Sequence, residues 1–375
     1  MSATALLRGI TWNHSRGYLP LIATAQRMLD RDPSVQIEWS KRSLKDFGDY
    51  PIERLVDQFD LLIIDHPFAG YAAEHPVLIP LDEHLPADFL ADQAANSVGP
   101  SHASYAMGGH QWALAVDAAT PVSGWRPDLL ERAGAALPET WDDLLALARR
   151  DLVIVPAAAV DSLMNLYMLC LGLGEEPFQS GSDIASTETG TTALELLREL
   201  VDLCGRDCID RNPIRTWETL AASDSVAYCP FAYAYSNYAR DEFGPNRLGF
   251  GGLVSLDDRR LRSTLGGTGL AISANCRDLP AALRYVQYVA SPGCQRTLYA
   301  THGGQPGHRA AWLDPELNRL THGFFRDALA THDEAYLRPR YRGYIPFQDH
   351  AGEVVRDYLR DGGDARAGLD RLNVL

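Results

Sequence analysis

Apolar and polar positions alternate along the chain in a strand–helix rhythm. Ala5–Ile10 reads as a short apolar strand followed by a polar turn. Leu19, Ile22, Gln26 and Leu29 then recur at helical spacing, and Asp32-Pro33 marks the stop. Val35–Trp39 alternates apolar with polar, the signature of a half-buried strand. A second helical pattern near Ile52–Gln58 leads into the run Phe59-Asp60-Leu61-Leu62-Ile63-Ile64. Continuous apolarity of that length suits a parallel strand covered on both faces. The order βαβ predicts a parallel sheet with right-handed crossovers.

Further along, Gln111–Val116 predicts a strand ending at Asp117, and Leu152–Val155 another. In Pro138-Glu139-Thr140-Trp141-Asp142-Asp143, Thr140 is placed to cap a helix and Asp143 to complete a capping box. Thr191–Leu203 carries Ala193, Leu196, Leu197, Leu200 and Val201 on one helical face. Ser225–Tyr228 and the Gly-rich stretch Leu265–Ser273 predict strands, Pro280–Val289 a helix opened by proline, and helices close the chain from Asp349 onward. No repeat or long linker interrupts the pattern, so two intimately connected lobes fit better than separate beads.

Composition narrows the function classes. The 375 residues suffice for about two domains. Against 34 Lys and Arg stand 49 Asp and Glu, a net charge of −15, which argues against nucleic acid and anionic membrane as partners. No run of about 20 apolar residues is present to insert into a membrane. Met1–Ala5 are followed directly by Leu6-Leu7-Arg8-Gly9-Ile10, with no secretory h-region. The chain as written is therefore expected in the cytoplasm, and in the periplasm if its start is truncated or misassigned. The six cysteines match no zinc spacing and read as reduced, mostly buried thiols. Cys204 and Cys208, four apart near a helix end, leave a disulfide or redox role as the alternative. Phosphate loops, dinucleotide fingerprints, hydrolase elbows and metalloprotease motifs are absent, and no metal or cofactor is expected.

Three ordered segments carry a family resemblance. The first runs from Tyr105-Ala106-Met107-Gly108 through Val116-Asp117 to Leu137-Pro138-Glu139-Thr140-Trp141-Asp142-Asp143-Leu144. The second is Gly266-Gly267-Thr268-Gly269-Leu270-Ala271-Ile272-Ser273. The third joins Pro280–Val289 to Ser291-Pro292-Gly293-Cys294-Gln295 and Gly303-Gly304-Gln305-Pro306. Together they resemble the bacterial extracellular solute-binding proteins of ABC importers, family 1, the sugar-binding type. The resemblance implies an α/β, two-lobed, periplasmic-binding-protein-like type II fold with a ligand cleft between the lobes and hinge closure on a bound solute. By analogy, residues 1–116 plus 262–312 form lobe one, and 117–261 plus 313–375 form lobe two. It also implies a small-molecule ligand and an ABC permease as partner.

Ligands of open α/β sheets bind beyond the carboxyl ends of strands. The first such end supplies Trp12, His14, Arg16 and Tyr18, a loop dense in indole, imidazole, guanidinium and phenol groups. Arg16 is suited to a bidentate carboxylate or phosphate, and Trp12 to stacking on a sugar or a cation. The second end supplies Asp65 and His66, a pair able to hold a hydroxyl or shuttle a proton. Asp117 lies at a position that resembles one where the family contacts ligand. Tyr228, Phe231, Tyr233 and Tyr235 form an aromatic focus in lobe two, and Gly267 allows a close backbone approach. Each also has a plain structural reading: core packing for Trp12 and the tyrosines, an internal ion pair for Arg16, turn capping for the aspartates, a hinge strand for Gly267. A cytoplasmic enzyme that reuses the fold, with His14, His66, Asp65 and Arg16 acting on one substrate, is the second functional hypothesis; solute capture without chemistry is the first.

Overall fold

The computed structural model describes residues 5–179 and 181–375. Its principal strands are β1 (Ala5–Trp12), β2 (Val35–Arg42), β3 (Leu61–Ile64), β4 (Leu114–Asp117), β5 (Pro121–Trp125), β6 (Tyr228–Tyr233), β7 (Gly249–Gly251) and β8 (Thr268–Ile272). The principal helices are α1 (Ser15–Arg31), α2 (Trp141–Ala148), α3 (Ala159–Leu173), α4 (Thr187–Cys204), α5 (Leu279–Ala290), α6 (Phe324–Asp333), α7 (Tyr344–Asp361) and α8 (Ala365–Asn373). The chain divides into two units. Of the described residues, the first comprises 5–119, 265–333 and 337–345; the second comprises 120–179, 181–264, 334–336 and 346–375.

The first unit is built on a five-stranded sheet of order β2-β1-β3-β8-β4. β1 pairs in parallel with β2 and β3, whereas β8 runs antiparallel to both β3 and β4. The apolar run at β3 sits at the centre, as its composition predicts. Leu61 and Ile63 join one core layer with Leu7, Leu114, Val116, Leu270, Ile272 and Tyr285. Leu62 and Ile64 join the opposite layer with Ile10, Phe68, Tyr105 and Ala115. Alternate side chains of one strand thus feed two cores, which only a doubly covered sheet requires.

The helical face expected for α1 differs from the observed one. Leu19 and Ile22 are exposed, and the buried positions are Arg16, Gly17, Pro20, Leu21, Thr24, Ala25 and Met28. The reason is close approach. A Cβ on Gly17 would lie 2.4 Å from the indole of Trp12, so the helix can lie against the tryptophan only through a glycine. Thr24 satisfies its hydroxyl on Tyr285 Oη at 2.9 Å.

The second unit contains a three-stranded antiparallel sheet, β6-β5-β7. The strand expected at Leu152–Val155 is reduced to an isolated bridge between Val153 and Tyr228, and the one expected at Ser225–Tyr228 begins at Tyr228 instead. α3 is buried from Asp161 to Gly172, and α4 and α8 belong to the same unit.

Residues 117–119, 313–333 and 337–345 lie in the first unit and 262–264 in the second, not in the lobes to which the sequence analogy assigns them. Trp312 explains the placement of 313–333. Its indole donates to Pro306 O at 2.7 Å and packs against Phe324, Phe325 and His332, with centroids 6.2, 5.1 and 4.4 Å away. An aromatic cluster of this kind has no periodicity that announces its partners.

The capping box at α2 is present as read from the sequence: Thr140 Oγ1 accepts from Asp143 N–H at 3.2 Å, and Asp143 Oδ2 accepts from Thr140 N–H at 3.0 Å. Thr140→Ala is expected to lower unfolding stability by about 1 kcal/mol, measured as a shifted urea midpoint at unchanged slope.

Candidate functional site at the strand ends

Strand direction decides which residues meet in the first unit. β1, β3 and β4 run the same way, so Trp12, Ile64 and Asp117 end at one edge of the sheet, where antiparallel β8 begins. The segments Asn13–Tyr18, Asp65-His66, Asp117 and Gly267-Thr268 are therefore gathered at one edge. Sequence reasoning selects all four from separate places in the chain.

Arg16 and Asp117 pair within this edge. Arg16 Nε donates to Asp117 Oδ2 at 2.9 Å and its terminal nitrogen donates to Oδ1, a two-point contact between side chains 4% and 0% exposed. The guanidinium also lies 6.0 Å from the Trp12 ring centroid. Burial pushes the Asp117 carboxyl upward, against the pull of Arg16. Trp12 itself is buried, 5.4 Å from Phe47. His14 caps α1 by accepting from Arg16 N–H at 3.0 Å, and burial followed by the Arg16 charge lowers its pKa to about 3. Tyr18 is half-buried, with Lys41 Nζ 4.7 Å from its ring.

A second buried network forms at the end of β3. Arg338 donates to both carboxylate oxygens of Asp65, at 2.9 and 2.8 Å, and to Leu265 O at 3.1 Å. His66 Nδ1 lies 3.1 Å from Asp65 Oδ1. Burial would raise the Asp65 carboxyl, but Arg338 and His66 outweigh it and hold the carboxyl well below the usual range. Burial and the Arg338 charge lower the His66 pKa to about 4. His66 is fully buried, in edge contact with Tyr105 at 6.4 Å. At neutral pH it is an uncharged core imidazole. Asp65 retains partial exposure.

Gly267 lies beside the crossing backbone. Its φ is +90°, and a Cβ there would fall 2.4 Å from Asp117 O, so both conformation and space demand glycine. Gln305 fixes the next residue of the crossing: its side-chain amide donates to Ala118 O at 2.7 Å, and its main-chain carbonyl accepts from Ala118 N–H at 2.9 Å.

In the second unit Tyr228, Phe231 and Tyr235 are buried, and Tyr233 is half-buried with Oη 3.1 Å from Thr264 Oγ1. Of the aromatic focus, Tyr233 alone keeps intermediate exposure.

Sequence reasoning does not find Arg338, Tyr105, Tyr299 or His332. Arg338 is 273 residues from Asp65 and carries no motif. The tyrosines sit within the electrostatic reach of Asp117 and the histidine within that of Arg16. Among the described residues, no group of three or more His, Cys, Asp and Glu side chains could hold a metal ion.

Removing one member of a buried ion pair strands the other without solvent. Asp117→Asn is expected to cost about 3 kcal/mol of stability, and the double variant Arg16→Met, Asp117→Leu to recover most of it in chemical denaturation. Stability should also depend on pH through His14, His66 and His332, whose folded pKa values of about 3, 4 and 4 lie below the ordinary 6.5. Between those values the unfolded chain binds protons that the folded chain refuses, so stability is full above about pH 6.5 and falls as pH drops toward 4. A series of melting curves across that window checks it; a flat profile contradicts the burial argument.

Comparison with known proteins agrees with this architecture. The family described as bacterial extracellular solute-binding protein matches residues 54–324. Among solved structures, maltose-bound MalE3 from T. maritima aligns with TM-score 0.83 at 18% identity, over 98% of each chain. A solute-binding protein from Agrobacterium radiobacter in complex with ribitol aligns at 0.82 and 17%, over 100% of this chain and 98% of that one. A protein from Thermotoga lettingae bound with α-D-tagatose aligns at 0.84 and 15%, over 99% and 98%. The structural likeness establishes the shared fold, and the family match covers well over half of the sequence. The chain belongs to the bacterial extracellular solute-binding proteins.

Proposed function

We propose that this solute-binding protein captures an uncharged polyhydroxylated solute, a sugar or a polyol, and releases it chemically unchanged. The observation that carries the reading is charge compensation. Arg16 is paired with Asp117 and Arg338 with Asp65, inside the same edge of the first unit. Neither guanidinium is left to neutralise an anion, and neither carboxylate to hold a cation. What keeps partial or full exposure there is Asn13, His14, Ser15, Tyr18, Asp65 and Gly267, a set of hydrogen-bonding groups with one aromatic face. His14 is held neutral by its low pKa. Such groups suit hydroxyls and the flat apolar face of a sugar ring. The named solved structures, which hold maltose, ribitol and tagatose, support the same ligand class.

An enzymatic role would need an acid or base that reaches a substrate. His66, the leading candidate, is fully buried with its charge suppressed, which supports binding without turnover. The family's description supports a site of action outside the cytoplasmic membrane, and the ABC transporter named for the Agrobacterium radiobacter protein supports delivery of the solute to an ABC permease. No helix among the described residues is long and apolar enough to cross a membrane.

The test is a thermal-shift and calorimetric panel of neutral sugars and polyols beside amino acids, phosphates and polyamines. A cognate neutral solute at one hundred times its Kd adds about 2.7 kcal/mol and raises Tm by about 3 °C. Tyr18→Ala is expected to weaken its affinity about tenfold, or about 1.4 kcal/mol. Binding confined to charged solutes would overturn the ligand class, and conversion of the bound compound would overturn the absence of chemistry.

A further inference from the structure

The second unit carries a pair of thiols for which solute binding has no use. Cys204 is the last residue of α4, and Cys208 lies four residues on, within the 3-10 turn Arg206–Asp210. Between them Gly205 adopts φ +87°, which turns the chain back on itself. Cys208 Sγ is 3.7 Å from Cys204 O, and the two thiols lie within hydrogen-bonding reach of each other. Both are free; Cys204 is partly exposed and Cys208 is buried.

We propose that Cys204 and Cys208 form a reversible disulfide, a redox-modification site whose oxidant is a small-molecule disulfide such as oxidised glutathione. Cys204, passing its proton to the neighbouring Cys208 thiolate, attacks one sulfur of the oxidant. A mixed disulfide forms on Cys204, and the other half leaves as a thiolate that takes that proton from Cys208. Cys208, again a thiolate, then attacks the Cys204 sulfur, forming the internal bond and expelling the second half as a thiolate, which takes up from solvent the proton the pair had first lost. The protein loses two hydrogens and the oxidant gains them, a balanced two-electron exchange.

Burial assigns the two roles. An external disulfide reaches Cys204 from solvent, whereas Cys208 needs to reach only its neighbour. The hydrogen bond between the two thiols pushes Cys204 up and pulls Cys208 down to about 7 against the effect of burial, with Arg211 assisting, so the pair gives up its first proton from Cys208 near neutral pH. Closing the bond to about 2.05 Å tightens a turn that supports α3. Ala157 N–H donates to Cys208 O and Ala158 N–H to Arg211 O, both at 3.0 Å, immediately before that helix.

Arg206 makes the bridge directly readable, because trypsin cuts between the two cysteines. The folded protein is treated with oxidised glutathione, alkylated and digested without reductant. The expected product joins the peptides Glu199–Arg206 and Asp207–Arg211, with two of the six thiols lost and dithiothreitol restoring both. Cys208→Ala should instead retain glutathione on Cys204, and in Cys204→Ala the modification of Cys208 should be at least tenfold slower. Glutathione retained on Cys204 of the unaltered protein overturns the proposal. So does a bridge to the Cys229 peptide Thr216–Arg240, or a full count of six free thiols after treatment.

Discussion

The pairing of Arg16 with Asp117 is the constraint around which the first unit is arranged. Taking a guanidinium and a carboxylate out of water costs several kcal/mol for each ion, and only close two-point geometry offsets it. That geometry demands that the first turn of α1 and the end of β4 be held in fixed register, although 101 residues separate them. The rest follows from that demand. His14 fixes the start of α1, Gln305 grips Ala118 from both its amide and its carbonyl, and Gly267 is the residue type that lets β8 begin against Asp117 O. Asp117 lies just ahead of Ala119, where the chain leaves the first unit. The ion pair thus anchors the root of the crossing segment rather than its middle.

A second anchor repeats the logic. Arg338 ties Asp65, at the end of β3, to Leu265 O, where the chain returns from the second unit. Both anchors join a strand end to a crossing segment through a buried arginine. Their cost has the same consequence: a polar edge whose charges are already paired in fixed geometry. Preorganisation of this kind reduces what binding must spend on ordering side chains.

Legibility in the sequence varied with the physics of each element. β3 was readable because a continuous apolar run has one economical use, a strand covered on both faces, and its residues do feed two cores. The start of α2 was readable because a capping box is local chemistry. The face of α1 was misread because hydrophobicity ranks Leu19 and Ile22 above Gly17 and Thr24, whereas the contact with Trp12 rewards absence of bulk. The placement of residues 313–333 was missed for a related reason. Trp312 draws that segment into the first unit through aromatic contacts, and no period in the sequence records which aromatic residues meet.

The strand-end residues show a further distinction. Residue type picked out one edge of the sheet, since Trp12, Arg16, Asp65, His66 and Asp117 all gather there. Residue type could not divide that set into groups the fold uses for itself and groups it leaves for a ligand, because the division depends on long-range partners. Arg16 looked like an anion hook until Asp117 occupied it, and His66 looked like an acid–base group until burial held it neutral. Once these pairings are subtracted, the exposed remainder is nearly free of uncompensated charge, despite a chain carrying −15 overall. The net charge therefore resides elsewhere in the chain, and the exposed part of the strand-end edge consists of hydrogen-bonding groups and one aromatic face.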